Sequence, residues 1–298
     1  MVDYVFDPAD LTRDQPWLRR WWPSKRLGVD PQQDLRVDGR YAPVSIANWK
    51  LIAPVARSLL AQRVPRPLTF AADPSLTVVV PYRDREQHLT QLLPSLTATL
   101  RGQQIPHRIV IVEQTNTGLF NRGRLLNIGV LHAAPTTDYY CLHDVDAIPL
   151  QANYHCPSQP LRLVNRIVES GHESRRSDYY FSGAVSIRKE QIFAANGFSN
   201  EYWGWGKEDD DFFFRLLMAG FLCYLDLQGE FEDLPNPGHQ QVKRRSFRVN
   251  RSMRLNRRRR SRLLRGLENP AQDGLNSLTY EIVDRVERTD HEKIRVRW

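Results

Sequence analysis

Carboxylates gather at two places where they could do chemistry. Asp144-Val145-Asp146 closes the apolar run DYYCLHDVD, and the two-residue period of a strand puts both acids on one side. Paired oxygens at a strand end suit a hard divalent cation in a nucleotide or nucleotide-sugar site. The same pair also suits a solvated strand end or a helix cap. Residues 203–211 read WGWGKEDDD. Two tryptophans flanked by glycines give an aromatic surface on a loop of little bulk, and aromatic faces suit sugar C–H groups. Glu208, Asp209, Asp210 and Asp211 then open a helix, whose N-terminal dipole stabilises them. The dipole accounts for a good helix start, but not for tryptophans beside four acids. A carboxylate placed there can serve as general base toward a hydroxyl.

Cations and aromatics extend the set. PYRDREQ puts Arg83 and Arg85 just past a strand that ends near Pro81, and arginine is a natural diphosphate partner. FNRGR opens a helix with Phe120, a cap-competent Asn121, Arg122 and Arg124, a group able to stack a base and hold phosphate. Solvated loop arginines are the plain alternative. His239, in LPNPGHQQ, and Asp233 are further metal-ligand candidates, although a lone loop histidine more often has no ligand.

These groups need elements to position them. LTVVVPY from residue 76 and HRIVIVEQ (107–114) read as buried strands, and DYYCLHDVD as a third. Helical patterns at 86–100 and 121–133 lie between them. Strand and helix alternating at these intervals indicate a doubly wound α/β sheet, with ligands outside the carboxyl ends of the strands. Arg83, Glu113 and Asp144 are thereby expected near one crevice. Further strands are expected at 179–188, 221–227, 278–283 and 293–296, and helices at 189–196 and 208–218. Residues 47–62 have helical spacing interrupted by Pro54.

Composition sets the limits. The chain has 298 residues, 41% hydrophobic and 26% charged, enough for a substantial core. Three cysteines, Cys141, Cys156 and Cys223, exclude a disulfide scaffold. The net charge of +8 is local: residues 243–265 hold 12 basic and no acidic side chains, leaving 30 basic and 34 acidic elsewhere. P-loop, dinucleotide GxGxxG, zincin HExxH and GxSxG motifs are absent. No apolar run reaches membrane-spanning length and the N-terminus lacks a signal-peptide core, so a cytoplasmic setting, peripheral to the membrane, is expected.

The blocks VVVPYRDREQHL, FNRGRLLNIGV, HDVDAIPL, YYFSGAVSIRKEQIFAANGFSNEYWGWGKEDDDFFFRL and DGLNSLTYEIVD together resemble the β-1,4-galactosyltransferase family, in the family's order, over residues 77–284. The resemblance implies a GT-A fold, with a central mixed, mainly parallel twisted sheet flanked by helices. Residues 1–70 would form an N-terminal extension and 71–298 the catalytic domain, containing the basic segment 243–265. It also implies an inverting, Mn2+-dependent transfer of galactose from UDP-galactose to a sugar hydroxyl of a glycan or glycoside, forming a β-1,4 linkage. Another divalent cation would also serve.

Matched by motif, Pro81, Arg83, Arg85, Phe120, Arg122, Asp144, Val145, Tyr180, Gly183 and Trp205 would bind the donor. Trp205, Glu208, Asp209 and Asp210 would bind the acceptor, with Asp209 the base and Glu208 beside it. Asp146 would ligate the metal, with His239 and then Asp233 replacing the family's Met-x-x-His or His-x-His segment. Tyr180 matches galactose-specific members. The arginines ahead of DGLNSLTY offer no apolar N-acetyl pocket, which leaves xylose, glucose or another glycan end open as acceptor. One alternative is another donor, UDP-GalNAc or UDP-GlcNAc. Another is a non-catalytic protein that binds an anionic polymer or membrane through residues 243–265. Arginine repeats without interleaved aromatics make a poor base-reading surface, so no specific nucleic acid is expected.

Overall fold

The computed structural model describes residues 40–44, 68–71, 74–169, 172–174, 181–235 and 247–298. At its centre β3 (Leu76–Tyr82) lies parallel to β4 (His107–Gln114) on one side and to β5 (Tyr139–His143) on the other. Side chains on these strands alternate between two cores. Val78, Val80, Ile109 and Ile111 face helix α1 (Glu86–Gly102), which answers with Leu89, Leu92, Leu93, Leu96 and Leu100 at helical spacing. Val79, Val110 and Val112 face helix α2 (Arg122–Ala133), through Leu125, Leu126, Ile128 and Val130. A sheet apolar on both faces and covered by a helix on each is the physical form of the doubly wound pattern.

Flanking strands complete a nine-stranded mixed sheet. β11 (Ala184–Arg188) runs antiparallel to β5, then come β8 (Leu161–Arg162), β12 (Tyr224–Asp226) and the edge strand β1 (Tyr41–Pro43). Asp226 receives a two-pronged ion pair from Arg40 at 2.8 and 2.9 Å, tying residues 40–44 to this edge. On the other side β15 (Glu292–Arg297) lies parallel to β4, with β14 (Glu281–Glu287) outermost. The strands expected at 278–283 and 293–296 are therefore a hairpin, and only 184–188 of the 179–188 segment is a described strand. The helical pattern at 47–62 lies outside the described residues.

A second, four-stranded sheet runs β10 (His172–Ser174), β9 (Arg166–Glu169), β13 (Glu230–Asp233), β6 (Ala147–Gln151), and β2 (Phe70–Ala71) pairs with β7 (Cys156–Pro157) as a third. The segment 144–146 is the link between the two sheets, since β5 ends at His143 and β6 starts at Ala147. Helix α3 (Lys189–Ala194) follows β11. Helix α4 (Glu208–Met218) is buried along most of its length by Phe212, Phe213, Phe214, Leu216 and Leu217. Its charges must therefore be satisfied internally: Asp211 pairs with Arg215 and accepts from the Tyr202 hydroxyl at 3.0 Å. Much of the basic segment forms helix α5 (Phe247–Leu264), which packs against α4. The three cysteines are buried and unbridged.

Candidate active site

The site is built around the N-terminus of α2. Asn121 caps the helix by accepting from the Arg124 N–H at 3.0 Å, and its amide donates to the Asn200 carbonyl at 2.8 Å. Gln114, at the end of β4, accepts from the Asn121 N–H at 3.0 Å. These buried bonds fix the direction of the next residue, Arg122. Its Nε donates to Asp144 at 2.6 Å and its Nη1 to Asp209 at 2.7 Å. One guanidinium thus joins the strand-end acid to the first turn of α4. Burial works against that charge, yet Asp144, Asp209 and Glu208 together make Arg122 more basic than usual.

The two acids at the start of α4 respond to the same environment. Burial, then the nearby Asp209 charge, drives the Glu208 carboxyl up. Burial also raises Asp209, but Arg122 and the Ser182 side chain hold it back. Glu208 therefore takes up a shared proton more readily, and Asp209 is the better anion. The Glu208 Oε2 is buried without a hydrogen-bond partner among the described residues.

The link 144–146 is held from below. The Asp144 N–H donates to the Gly183 carbonyl at 2.7 Å. His143, fully buried, places Nδ1 2.9 Å from the Asp144 carbonyl and Nε2 3.0 Å from the Tyr154 hydroxyl. A carbonyl can only accept, so Nδ1 carries the proton and Nε2 receives the Tyr154 hydrogen. Burial depresses His143 to about 4, which keeps it neutral in this role. On the next strand Asp233 stands opposite Ala147, and the Leu234 N–H donates to the Asp146 carbonyl at 2.9 Å. Asp146 and Asp233 are thereby neighbours across two strands. Among the described residues no cluster of three or more His, Cys, Asp or Glu side chains forms a metal cage. His239 and Tyr180 lie outside the described residues.

The tryptophan loop is strained and latched. Gly204 and Gly206 have φ of 76° and 91°, and Lys207 follows at 85°. The Gly204 N–H donates to the Phe120 carbonyl at 2.8 Å. From α5, the Asn256 amide donates to the carbonyls of Trp203 and Gly206, at 3.1 and 2.9 Å. Trp205 is left 48% exposed.

Most of the expected site residues converge here. Arg83 donates to the Gly118 carbonyl at 2.8 Å and lies over the Phe120 ring. Pro81 and Val145 are buried. Arg85 sits at the N-cap of α1. Asp210, expected on the acceptor side, is held by Lys207 at 2.9 Å and by Arg260 of α5 at 2.7 Å, both through its Oδ2. Glu113, expected near the same crevice, is paired with Lys293 and Arg295, which β15 brings within 3.1 and 3.3 Å of it. Sequence reasoning missed His143, Ser182, Asn256 and Arg260. Only two left a signal: a histidine inside an otherwise apolar strand, and one asparagine amid arginines.

The model for the N-terminal region of glycosyl transferase group 7 matches residues 33–157, and that for the N-terminal domain of galactosyltransferase matches residues 163–231. Beta-1,4-galactosyltransferase 4 of Cricetulus griseus is 43% identical over 145 residues, 47% of this chain and 42% of that protein. Beta-1,4-galactosyltransferase 1 of Homo sapiens is 34% identical over 215 residues, 70% of this chain and 51% of that protein. The chain spans about half the length of these curated relatives. The crystal structure of the catalytic domain of Drosophila beta1,4galactosyltransferase 7 with xylobiose superposes with a TM-score of 0.63 at 28% identity, covering 75% of this chain and 93% of that one. A mutant of the same enzyme in complex with manganese, UDP-Gal and xylobiose gives a TM-score of 0.61.

Proposed function

Because this chain belongs to the β-1,4-galactosyltransferase family, with a GT-A fold, we propose that it moves galactose from UDP-galactose to a sugar hydroxyl, inverting the anomeric centre and forming a β-1,4 linkage. One observation carries the reading. Through Arg122, the strand-end acid Asp144 and the helix-start acid Asp209 face the same crevice, with Glu208 Oε2 beside them lacking a partner among the described residues.

In this reading Arg83, Arg85 and Phe120 hold the UDP portion, with Pro81, Val145 and Gly183 shaping its backbone cradle. Trp205 lies between donor and acceptor. Glu208 engages the acceptor hydroxyl and Asp209 takes its proton as that oxygen bonds to the anomeric carbon. The bond to the UDP oxygen breaks on the opposite face, and its electron pair leaves with UDP. A single displacement needs no covalent intermediate. Arg122 keeps Asp209 anionic until the hydroxyl arrives. Asp146, just before β6, and Asp233, at the end of the paired β13, are hard oxygen donors, which fits Mn2+ or a similar cation, with His239 a further candidate. When bound, the cation offsets the charge of the departing diphosphate.

The test is UDP release from UDP-galactose with Mn2+, against xylosides, glucosides and N-acetylglucosaminides, with EDTA as control. Asp209→Asn should lower turnover roughly 10²- to 10⁴-fold while leaving UDP binding in place. Near-normal turnover in that variant would remove Asp209 from its role. A second proposal is peripheral contact with an anionic membrane, supported by the exposed Arg254 and Arg257 of α5 and Arg265 just beyond it. Salt-sensitive sedimentation with anionic liposomes tests it.

A further inference from the structure

Between α5 and the tryptophan loop lies an open cleft of about 890 Å³. Its α5 wall is formed by residues 251, 255, 258 and 262, spaced four, three and four apart on one helix face, with Arg259 alongside. Four arginines, Arg251, Arg258, Arg259 and Arg262, face two acids, Glu201 and Glu268, which leaves two positive charges in excess. Arg262 meets Glu268 at 3.0 Å, and Arg259 has only loose pairs, to Glu268 at 3.4 Å, Glu201 at 3.7 Å and Asp273, outside the cleft, at 3.8 Å. Neither Arg251 nor Arg258 has a carboxylate partner among the described residues. Trp203, Leu119 and Leu255 add apolar surface, with Leu119 and Leu255 43% and 53% exposed.

We propose that this cleft recognises an anionic group carried by the acceptor, next to the sugar that receives galactose. The proposal rests on the galactosyltransferase reading, because Trp203 belongs to the same loop as Trp205 and joins the cleft to the reacting acids. A sugar stacked on an aromatic face with a carboxylate, sulfate or phosphate beyond it matches what the walls offer. Like charges lining a concave surface also raise the local concentration of an anion. The loop and α5 are locked together by Asn256, so the anion site and the reacting site are held at a fixed separation. A neutral acceptor would leave the excess arginines uncompensated.

The test uses the full chain and two acceptor series, benzyl β-glycosides and their 4-carboxybenzyl and 4-phosphonobenzyl counterparts, on xylose, glucose and N-acetylglucosamine. The expected result is a KM about tenfold lower for the anionic members. That ratio should collapse toward one in Arg251→Gln/Arg258→Gln and in 0.5 M salt, with the KM for UDP-galactose unmoved. Binding of the 4-phosphonobenzyl glycosides to UDP-saturated protein, followed by ligand NMR, gives a readout without turnover and should show the same contrast. Equal binding of neutral and anionic members, or a contrast untouched by the double substitution, overturns the proposal. A contrast in binding with no galactose transfer to any sugar would instead defeat the galactosyltransferase reading and leave the anion site standing. Anionic vesicles that lose binding in the double variant, with no contrast among the glycosides, would reassign these arginines to a membrane surface and overturn the proposal.

Discussion

Arg122→Gln removes the guanidinium from a cluster of three carboxylates, Asp144, Glu208 and Asp209. Each of its ion pairs, at 2.6 and 2.7 Å between heavy atoms, corresponds to charge centres about 4 Å apart. At an effective dielectric near 20 that is about 4 kcal/mol per pair before desolvation. Arg122 is 12% exposed, but Asp144 and Asp209 are 26% and 20% exposed, so the net loss on removing one partner is put at about 2–3 kcal/mol. The pH dependence has a definite sign. Without the cation the acids repel, and the Glu208 and Asp209 carboxyls, already raised by burial, rise further above their unfolded values. Such groups favour the fold only while protonated, so the cost is smallest near pH 5 and grows toward pH 8. Denaturant midpoints at pH 5, 6.5 and 8 would measure it. Adding Asp209→Asn should return part of the loss, with a coupling energy of about 1–2 kcal/mol. A cost that does not change with pH, or strict additivity of the two substitutions, would refute the claim that Arg122 is held here by these acids.

Other expectations follow from the same geometry. Gly204→Ala places a Cβ 2.8 Å from Ser252 Oγ at a φ of 76°, for a loss of about 1–2 kcal/mol by thermal or chemical unfolding. Ser252→Ala in that background should recover the contact part but not the backbone part. Asp146→Asn should move the Mn2+ titration of UDP release to higher metal concentration, and an unchanged curve would exclude it as a ligand. His143, neutral in the fold and depressed to about 4, should contribute stability that is full above pH ~6.5 and lost as pH falls toward 4, up to roughly 3 kcal/mol. Comparing wild type with His143→Gln across that range isolates the contribution, and parallel profiles would count against it.

The central fold was legible because its residues obey one period at a time. Val78 to Val80 alternate between two cores, and α1 presents leucines at helical spacing, so burial and sequence pattern coincide. The hairpin of β14 and β15 was harder to read. All of β14 is exposed, so no apolar alternation marks its ends. The placement of β15 beside β4 depends on pairing between residues some 180 apart, which no local pattern encodes. The partners of Glu113, Lys293 and Arg295, were hidden for the same reason, since they arrive with that strand.

The site was legible where motifs carry chemistry on their own, as in Asp144, Arg122, Glu208 and Asp209, and opaque where a partner decides the role. Asp210 has the same residue type as its neighbours, yet about 100° of helix turn separates it from Asp209 and hands it to Lys207 and Arg260. Helix α5 is the extreme case. Its arginines give no apolar stripe, and of the side chains at 251–264 only Ser252, Asn256, Leu263 and Leu264 are buried. Its order therefore comes from docking onto α4 and the tryptophan loop rather than from its own pattern. The side chains that dock it, Asn256 and Arg260, hold the loop and the α4 acids, while those left over line the cleft. A substitution that undocks α5 should thus disturb Trp205 and the acceptor side together while sparing the Arg83 and Phe120 contacts, whose supports lie in β3, β4 and α2.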